Sequence, residues 1–432
     1  MRGKILGTER KTMKRRGICK KIATGILAAA LLAGCGGSKD ASISGRVASA
    51  SGKMTSESAV SGSVTSESVY RTVESCSSEV PGEASEKKAS ERVQITDHMD
   101  RTVTVPTDPQ NVVILDILPL PSVLTIYLGS AKTIKAMEPA SMNAAKNSVL
   151  CDLFPEVQDV STDIMSNEDV NIESLIALNP DVVFFNAGNR ELCAKLENAG
   201  LICVGVSPVK WKYDCIRTYN EWIALLDQIY PDRASGNEKT VDAYANEIYD
   251  EIQEKTGTLK EEDKQKVLFL FQYDENTMIT SGSSFFGQWW CDAVGAENAA
   301  EEVAADNSNA KITMEQVYKW DPDVIIITNF TGTQPEDLYN NAIGDDDWSG
   351  VKAVKEKRVY KMPMGSYRSY TPGVDTPMTL QWLAQAVYPD LFSDIDVKEN
   401  VKDYYRTIYG VELTDEQVNR MYTPNRDAGK MN

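Results

Sequence analysis

The stretch Asn171-Ile-Glu-Ser-Leu-Ile-Ala-Leu-Asn-Pro-Asp-Val-Val-Phe-Phe-Asn186 decides the fold, because it recurs without a gap 142 positions later. The second copy reads Thr313-Met-Glu-Gln-Val-Tyr-Lys-Trp-Asp-Pro-Asp-Val-Ile-Ile-Ile-Thr328. Each copy predicts a short amphipathic helix that starts near a Glu, a break before Pro, and an apolar run typical of a buried parallel strand. Such a repeat indicates two similar α/β lobes with a ligand bound between them.

The acidic composition limits the possible partners. The 432 residues include 63 Asp and Glu against 45 Lys and Arg, which gives a formal charge of −18. This balance argues against nucleic-acid binding, which needs a basic footprint. The length is sufficient for two domains of ordinary size and their tails.

The first 90 residues are typical of an exported and tethered protein. Nine basic residues and one Glu flank or precede an apolar run over residues 22–34, so we predict a lipoprotein signal peptide over residues 1–34. The run ends in Leu32-Ala-Gly-Cys35, which resembles the bacterial lipobox, and this resemblance implies a lipid on Cys35. Residues 35–90 are Ser-rich and almost free of aromatic residues, which predicts a disordered linker. We therefore expect an extracytoplasmic protein that its lipid anchors to the cell membrane.

Strand and helix patterns alternate after this linker, which predicts parallel sheets. Val241, Tyr244, Ile248 and Ile252 recur at helical spacing among charged residues, which predicts one long helix between the lobes. The predicted domains are an N-terminal lobe over 91–230, a bridging helix over 231–258, a C-terminal lobe over 259–392 and a C-terminal helical extension over 393–432.

Three local patterns predict smaller elements. Alternating apolar residues over 92–106 predict a hairpin. Small and polar residues over 138–148 predict a loop. The capping-box sequence Thr414-Asp-Glu-Gln417 predicts the start of a last helix.

The scattered cysteines and the single histidine argue against direct binding of a metal ion. Beyond Cys35 the cysteines are Cys76, Cys151, Cys193, Cys203, Cys215 and Cys291, and none forms a Cys-x-x-Cys pair. We expect mostly buried thiols, with Cys193 and Cys203 the one pair close in sequence. We interpret His98 as a solvated turn residue.

Several features together resemble the substrate-binding proteins of ABC importers for iron complexes and cobalamin, over residues 92 to about 410. One departure is Asp100, where that family usually has Gly, so we expect a different hairpin turn. Besides both repeat copies, the matches are Thr96-Asp97 with Arg101-Thr-Val-Thr-Val-Pro106, Gly295-Ala-Glu-Asn298, Ala353-Val-Lys-Glu-Lys-Arg-Val-Tyr360 and Tyr388-Pro389.

The resemblance implies the class III periplasmic-binding fold and a monomeric, cofactor-free solute-binding protein that works with an ABC permease and its ATPase subunits. It also implies that Glu173 and Glu315, the matching Glu of the two copies, dock onto Arg residues of the permease. For either Glu alone, attraction by a helix N-terminus is the simpler explanation.

Ligands of open α/β folds bind beyond the carboxyl ends of the strands, so the loops after the apolar runs form the predicted site. Arg368, between two Tyr, is the strongest candidate because a guanidinium pairs with carboxylate, catecholate or phosphate and aromatic rings cover a chelate. The predicted ligand-binding residues are Pro119, Glu138, Asn143, Met165, Asn186, Arg190, Trp211, Lys212, Tyr273, Ser283, Phe285, Asn329, Tyr367, Arg368 and Tyr370.

A ferric siderophore is the first choice of ligand, because a chelate brings its own metal donors. A corrinoid, haem or a molybdate-like oxyanion are the alternatives within the importer class. A tethered receptor without a transport partner is the alternative from another class. An enzyme is not expected, because Gly-x-Ser-x-Gly and phosphate-binding Gly motifs are absent and a triad would have to use His98.

Overall fold

The computed structural model describes residues 91–166, 169–233, 238–305 and 310–431. The predicted signal peptide, Cys35, the linker and Cys76 lie outside this part. Within it, no helix combines the length and the apolar character needed to cross a bilayer.

The N-terminal lobe is built on a four-stranded parallel sheet with strand order β4-β3-β7-β8. A hairpin of β1 and β2 precedes it, as predicted, and β5 and β6 form a small antiparallel pair. The strands are β1 (Arg92–Thr96), β2 (Thr102–Pro106), β3 (Val112–Ile114), β4 (Ile134–Ala136), β5 (Met165–Ser166), β6 (Asp169–Val170), β7 (Val182–Asn186) and β8 (Cys203–Val206). The helices are α1 (Leu120–Leu128), α2 (Pro139–Lys146), α3 (Leu150–Leu153), α4 (Ile172–Ala177), α5 (Arg190–Asn198) and α6 (Cys215–Ile229).

The C-terminal lobe repeats this plan with the strand order β10-β9-β12-β13, and β11 also pairs with β9. All of its pairings are parallel except that of β10 with β9. Its strands are β9 (Lys266–Tyr273), β10 (Met278–Thr280), β11 (Glu297–Asn298), β12 (Val324–Ile327) and β13 (Val359–Lys361). Its helices are α8 (Phe286–Ala293), α9 (Met314–Trp320), α10 (Pro335–Tyr339), α11 (Lys352–Lys355) and α12 (Thr376–Val387).

A long helix, α7 (Glu238–Thr256), joins the two lobes and contacts α6 of the first lobe and α12 of the second. Pro231–Arg233, which were predicted to belong to this helix, form a turn instead. After the second lobe, α13 (Val397–Tyr404) and α14 (Asp415–Tyr422) form the helical extension. The capping box predicted at Thr414 is present at the start of α14.

The core extends from one lobe into the other. Alternate residues of each central strand point to opposite faces of its sheet, so Phe184 and Ile326 lie in one continuous cluster that includes both lobes. Phe185 and Ile327, one residue later, lie in separate clusters on the other faces. This architecture confirms the class III fold of two parallel-sheet lobes bridged by a helix.

Two sequence predictions about secondary structure are wrong or incomplete. The predicted loop over 138–148 contains α2, which Pro139 starts at a position where Pro is tolerated and which buries Ala140, Ala144 and Ala145. Ala is a strong helix former, so the small residues indicated a helix rather than a loop. Helix α6, which buries Trp222, was not predicted.

The turn of the first hairpin also differs from prediction. Asp100 has φ 62, so it adopts the left-handed conformation that favours Gly, and a different turn is unnecessary. His98 is less solvated than predicted, because it is partly buried: its Nδ1 accepts a hydrogen bond from the Ser207 backbone N–H at 3.0 Å, and Trp211 packs edge-on at 4.9 Å between ring centroids. Burial, aided by Lys210, lowers the pKa of His98 to about 4.

Candidate functional site

Arg368 is the centre of the candidate site, where the two lobes meet. It lies in the loop between β13 and α12, and only 1% of the residue is exposed. Its Nε and Nη2 donate to the backbone carbonyls of Ala428 at 3.1 Å and Lys430 at 2.7 Å. Its Nη1 donates to the Tyr367 hydroxyl at 3.1 Å and, at 3.5 Å, to the carbonyl of Ala140 in the first lobe.

Within the described part of the chain, the guanidinium of Arg368 forms no ion pair. Among the described residues, no carboxylate oxygen lies within the 4.0 Å of an ion pair with it. The nearby Phe330 ring, 5.0 Å from the guanidinium carbon, offers only a cation–π contact. A buried charge that is compensated by neutral acceptors alone is energetically costly, so this position favours an anion.

Asp375 fixes the loop that carries Arg368. Its buried carboxylate accepts hydrogen bonds from the backbone N–H and the hydroxyl of Ser366, both at 2.8 Å, and from the Tyr405 hydroxyl. Gly365 is required here, because a Cβ at this position would lie 2.2 Å from an Asp375 carboxylate oxygen. Burial raises the pKa of Asp375. The guanidinium is therefore held by a rigid support.

The facing edge of the first lobe is acidic. Asp116 follows β3 with φ 57, and its backbone N–H donates to Glu138 Oε1 at 2.6 Å. The Asn189 side-chain amide donates to the Asp116 carboxylate at 2.6 Å. Burial, together with the Asp116 carboxylate, raises the pKa of Glu138 to about 7. Near neutral pH Glu138 can therefore hold a proton and donate it in a hydrogen bond.

The structure brings four of the fifteen predicted ligand-binding residues together at the lobe interface. Tyr367 and Arg368 are adjacent in the second lobe. Burial raises the pKa of Tyr367, and the charge of Glu138 in the first lobe acts in the same direction. Asn143, in α2, donates to the carbonyls of Asp427 at 3.0 Å and Lys430 at 2.7 Å.

Five other predicted residues are buried in the protein interior. Phe285 and Tyr370 lie in a cluster of aromatic rings, and the Tyr370 hydroxyl donates to Ser281 at 2.7 Å. Asn329 donates to the carbonyls of Met362 and Pro363. Tyr273 and Pro119 are also buried.

The other six lie at the surface or in local contacts. Trp211 packs on His98, and Asn186 hydrogen-bonds within its own loop. Met165 is partly buried in β5, whereas the exposed residues are Arg190, Lys212 and Ser283.

Sequence reasoning missed three parts of this region. Asp116 directly follows the apolar run of β3, and that position could have identified it. Lys361 is buried, and its ammonium donates to the carbonyls of Thr328, Thr331 and Thr333 at 2.7–2.9 Å. The segment 425–431, whose carbonyls contact Arg368 and Asn143, has no pattern that indicates such a position.

The two Glu of the repeat lie at equivalent, exposed places. Glu173 is in the first turn of α4 and Glu315 in the first turn of α9, and no ion pair joins either to another described residue. One turn further, Ile176 and Tyr318 are large apolar residues that are 50% and 47% exposed.

The described cysteines are free and buried, as predicted: Cys151, Cys193, Cys203, Cys215 and Cys291. Potential ligand atoms of Cys193, Glu197 and Cys203 lie within 4.8 Å of one another, the one such group found in the described part of the chain. Arg101 already donates to the Cys193 sulfur at 2.8 Å and to Glu197 at 2.7 Å. Its positive charge disfavours a metal ion at this place.

Comparison with known proteins identifies the family. Residues 130–364, more than half of the chain, match the model of the family described as periplasmic binding protein. The chain belongs to this family.

Individual relatives agree with this assignment. The molybdate-binding protein MolA of Haemophilus influenzae is 27% identical over 340 residues, which cover 73% of this chain and 90% of MolA. The putative ABC transporter substrate-binding lipoprotein YhfQ of Bacillus subtilis is 25% identical over 62% of this chain and 80% of its own length. The crystal structure of a periplasmic solute-binding protein from Veillonella parvula is 29% identical, with a TM-score of 0.67 over 77% of this chain and 97% of that one.

By its family and its relatives, this chain is a substrate-binding protein of the ABC-importer class that works outside the cytoplasm.

Proposed function

We propose that this periplasmic binding protein captures a compact oxyanion of the molybdate type between its lobes and delivers it to an ABC permease. The observation that carries the proposal is the buried guanidinium of Arg368, which lacks a carboxylate partner among the described residues. An oxyanion would supply that missing charge and accept two parallel N–H donors. Glu138, whose pKa burial raises to about 7, would donate a hydrogen bond to another oxygen of the anion.

A small anion agrees better with the lining than a ferric siderophore does. The siderophore hypothesis needs aromatic faces against the chelate, but Phe285 and Tyr370 belong to a buried cluster with Phe271 and Phe286. MolA, which is named as a molybdate-binding protein, is similar along 90% of its own length. The siderophore, corrinoid and haem therefore become competing outcomes of the ligand test.

The ligand test measures direct binding. The protein without its predicted signal peptide and linker, residues 91–432, is dialysed to equilibrium against molybdate, a ferric siderophore, cobalamin or haem, and the bound metal is quantified by mass spectrometry. We expect saturable binding of molybdate, and a loss of at least about 100-fold in affinity in Arg368→Ala, because a buried charge-assisted contact is removed. Arg217→Ala, which changes an exposed Arg of α6 that is not a candidate ligand-binding residue, is the matched control. Binding of a ferric chelate alone would replace the oxyanion by the siderophore.

We further propose that Glu173 and Glu315 dock onto the permease, one from each lobe. Their support is their equivalent exposed position and the exposed apolar residues Ile176 and Tyr318 beside them, since exposed large apolar side chains are common at contact surfaces. The double variant Glu173→Ala/Glu315→Ala should lose uptake of the ligand by whole cells and retain ligand affinity. Glu416→Ala is the matched control, because Glu416 has the same position in the capping-box helix α14 and is exposed. Unchanged uptake in the double variant would contradict docking.

The location at the membrane completes the proposal. A lipid on Cys35 would tether a monomeric protein beside its permease, and the name of YhfQ as a lipoprotein supports this. Cys35→Ala should release the protein from the membrane fraction into the medium or periplasm, as immunoblots of fractionated cells would show. Retention in the membrane fraction would contradict lipid anchoring.

A further inference from the structure

The segment 425–431 occupies the place where the proposed anion would bind. The carbonyls of Ala428 and Lys430 accept the N–H groups of Arg368, and Lys430 also accepts the Asn143 amide from the other lobe. Ala428 and Gly429 are buried. A carbonyl oxygen carries a partial negative charge. The segment therefore gives Arg368 hydrogen-bond acceptors with less negative charge than the oxygens of an oxyanion.

Two anchors hold the segment in this position. Arg426 forms a two-pronged ion pair with Asp337 of α10, with N–O distances of 2.6 and 2.7 Å. Gly429 lies directly against the loop after β12, where an added Cβ would be 2.2 Å from the carbonyl carbon and oxygen of Thr331. This close contact requires Gly at position 429, and any larger residue must push the segment away from the loop after β12.

We propose that the segment 425–431 is an intramolecular competitor that fills the anion site of the unliganded protein and leaves Arg368 when the ligand binds. This inference depends on the proposed function for the identity of the ligand, but not for the contacts of the segment. The competition lowers the apparent affinity for the anion by the fraction of time that Arg368 is free. The segment also supplies hydrogen-bond acceptors to the buried guanidinium when no ligand is bound.

The first test displaces the segment without touching Arg368. In Gly429→Val the clash with Thr331 should free the site, and equilibrium dialysis against molybdate should show affinity that is higher by about tenfold or more. The control is Gly350→Val, because an added Cβ at Gly350 meets only the Tyr318 ring at 3.7 Å. Equal or weaker binding by a Gly429→Val protein with a wild-type melting curve would overturn the proposal.

The second test does not need the ligand to be known. Phenylglyoxal modifies accessible guanidinium groups, and peptide mass spectrometry measures its addition at Arg368. We expect slow modification in the wild type and faster modification in both Gly429→Val and Arg426→Ala, which removes the ion pair with Asp337. If Arg368 stays protected in both folded variants, the segment does not cover it and the proposal fails, whether or not molybdate binds.

Hydrogen exchange separates a competitor from a lid. Adding molybdate to the wild type should increase exchange in residues 425–431, because the anion releases them. Greater protection on adding molybdate would show a segment that closes over the ligand and would overturn the proposal. If neither wild type nor Gly429→Val binds molybdate, the proposed ligand class fails, and the modification of Arg368 still decides the role of the segment.

Discussion

The two copies of the repeat share their framework but differ in the loop that follows the central strand. After β7 none of the residues from Asn186 to Arg190 is fully buried, and the hydrogen bonds of this loop include a local one from the Gly188 N–H to the Asn186 side chain. After β12 the loop from Asn329 to Thr333 is largely buried, and Lys361 donates to the carbonyls of Thr331 and Thr333 within it. The segment 425–431 then covers this second loop.

The shared framework has a simple physical basis. The residue before Pro adopts the left-handed conformation in both copies, with φ 46 at Asn179 and φ 43 at Asp321, which ends the helix and turns the chain into the strand. The difference between the loops teaches that the repeat specifies the scaffold, whereas the site depends on loops that the two lobes do not share. The edge of the site in the first lobe, with Asp116 and Glu138, is consequently acidic and partly open. The edge in the second lobe, with Lys361 and Arg368, is basic, and each of their side-chain nitrogens has an acceptor among the described contacts.

The largest expected effect concerns the basic edge. Lys361→Met should lower the free energy of unfolding by about 3 kcal/mol, because three buried carbonyls lose their donor. Lys212→Met, at an exposed Lys of the first lobe, should change it by less than about 0.5 kcal/mol. Urea unfolding followed by circular dichroism measures both. Equal effects of the two variants would remove the proposed contrast between a buried and an open edge.

The acidic edge should respond to pH. Wild-type Glu138 keeps its proton up to about pH 7 when folded, whereas its ordinary pKa is 4.5, so between these values the folded state binds more protons. Wild-type stability should therefore fall as pH rises through this window. Asp116 and Tyr367 are the titratable groups nearest to it.

Glu138→Gln keeps the acceptor for the Asp116 N–H but cannot titrate. Relative to the wild type, its free energy of unfolding should increase by about 2 kcal/mol between pH 4.5 and pH 8. Urea unfolding at four pH values measures the difference. A constant difference across this range would mean that Glu138 titrates normally and that the first lobe does not present a protonated carboxyl to the ligand.

The sequence predicted the elements whose cause is local. The apolar runs of the repeat predicted β7 and β12, and the capping box at Thr414 predicted the start of α14. Helix α2 was missed because its few buried Ala residues carry a weak hydrophobic pattern, although their helix propensity is high.

The candidate site was predictable only in part. Arg368 and Glu138 follow strands, so the rule that ligands bind at carboxyl edges identified them. The same rule also selected Tyr273, Phe285 and Tyr370, which are buried, because position after a strand does not determine the side to which a residue points. The role of the segment 425–431 depends on contacts with Arg368 and Asn143, more than 50 positions away in the chain, which no local pattern encodes.

The smallest predicted effect tests whether the two copies of the repeat contribute equally to stability. In both copies the Asp after Pro accepts backbone N–H groups at the start of the neighbouring strand: Asp181 from Gln110 and Asn111, and Asp323 from Lys266. Asp181→Ala and Asp323→Ala should each cost about 1 kcal/mol of unfolding free energy, since an exposed partner such as Lys352 adds little.

Urea unfolding of the two variants compares the copies directly, with Asp427→Ala as a control at an exposed Asp whose ion pair with Lys430 is also exposed. Similar losses of unfolding free energy in Asp181→Ala and Asp323→Ala would show that the two copies of the repeat stabilise their lobes in the same way. A cost for Asp323→Ala that is larger by more than about 1 kcal/mol would show that the buried loop after β12 transmits strain to its strand. In that case the asymmetry of the site would extend into the framework, and the division between a shared scaffold and divergent loops would have to be abandoned.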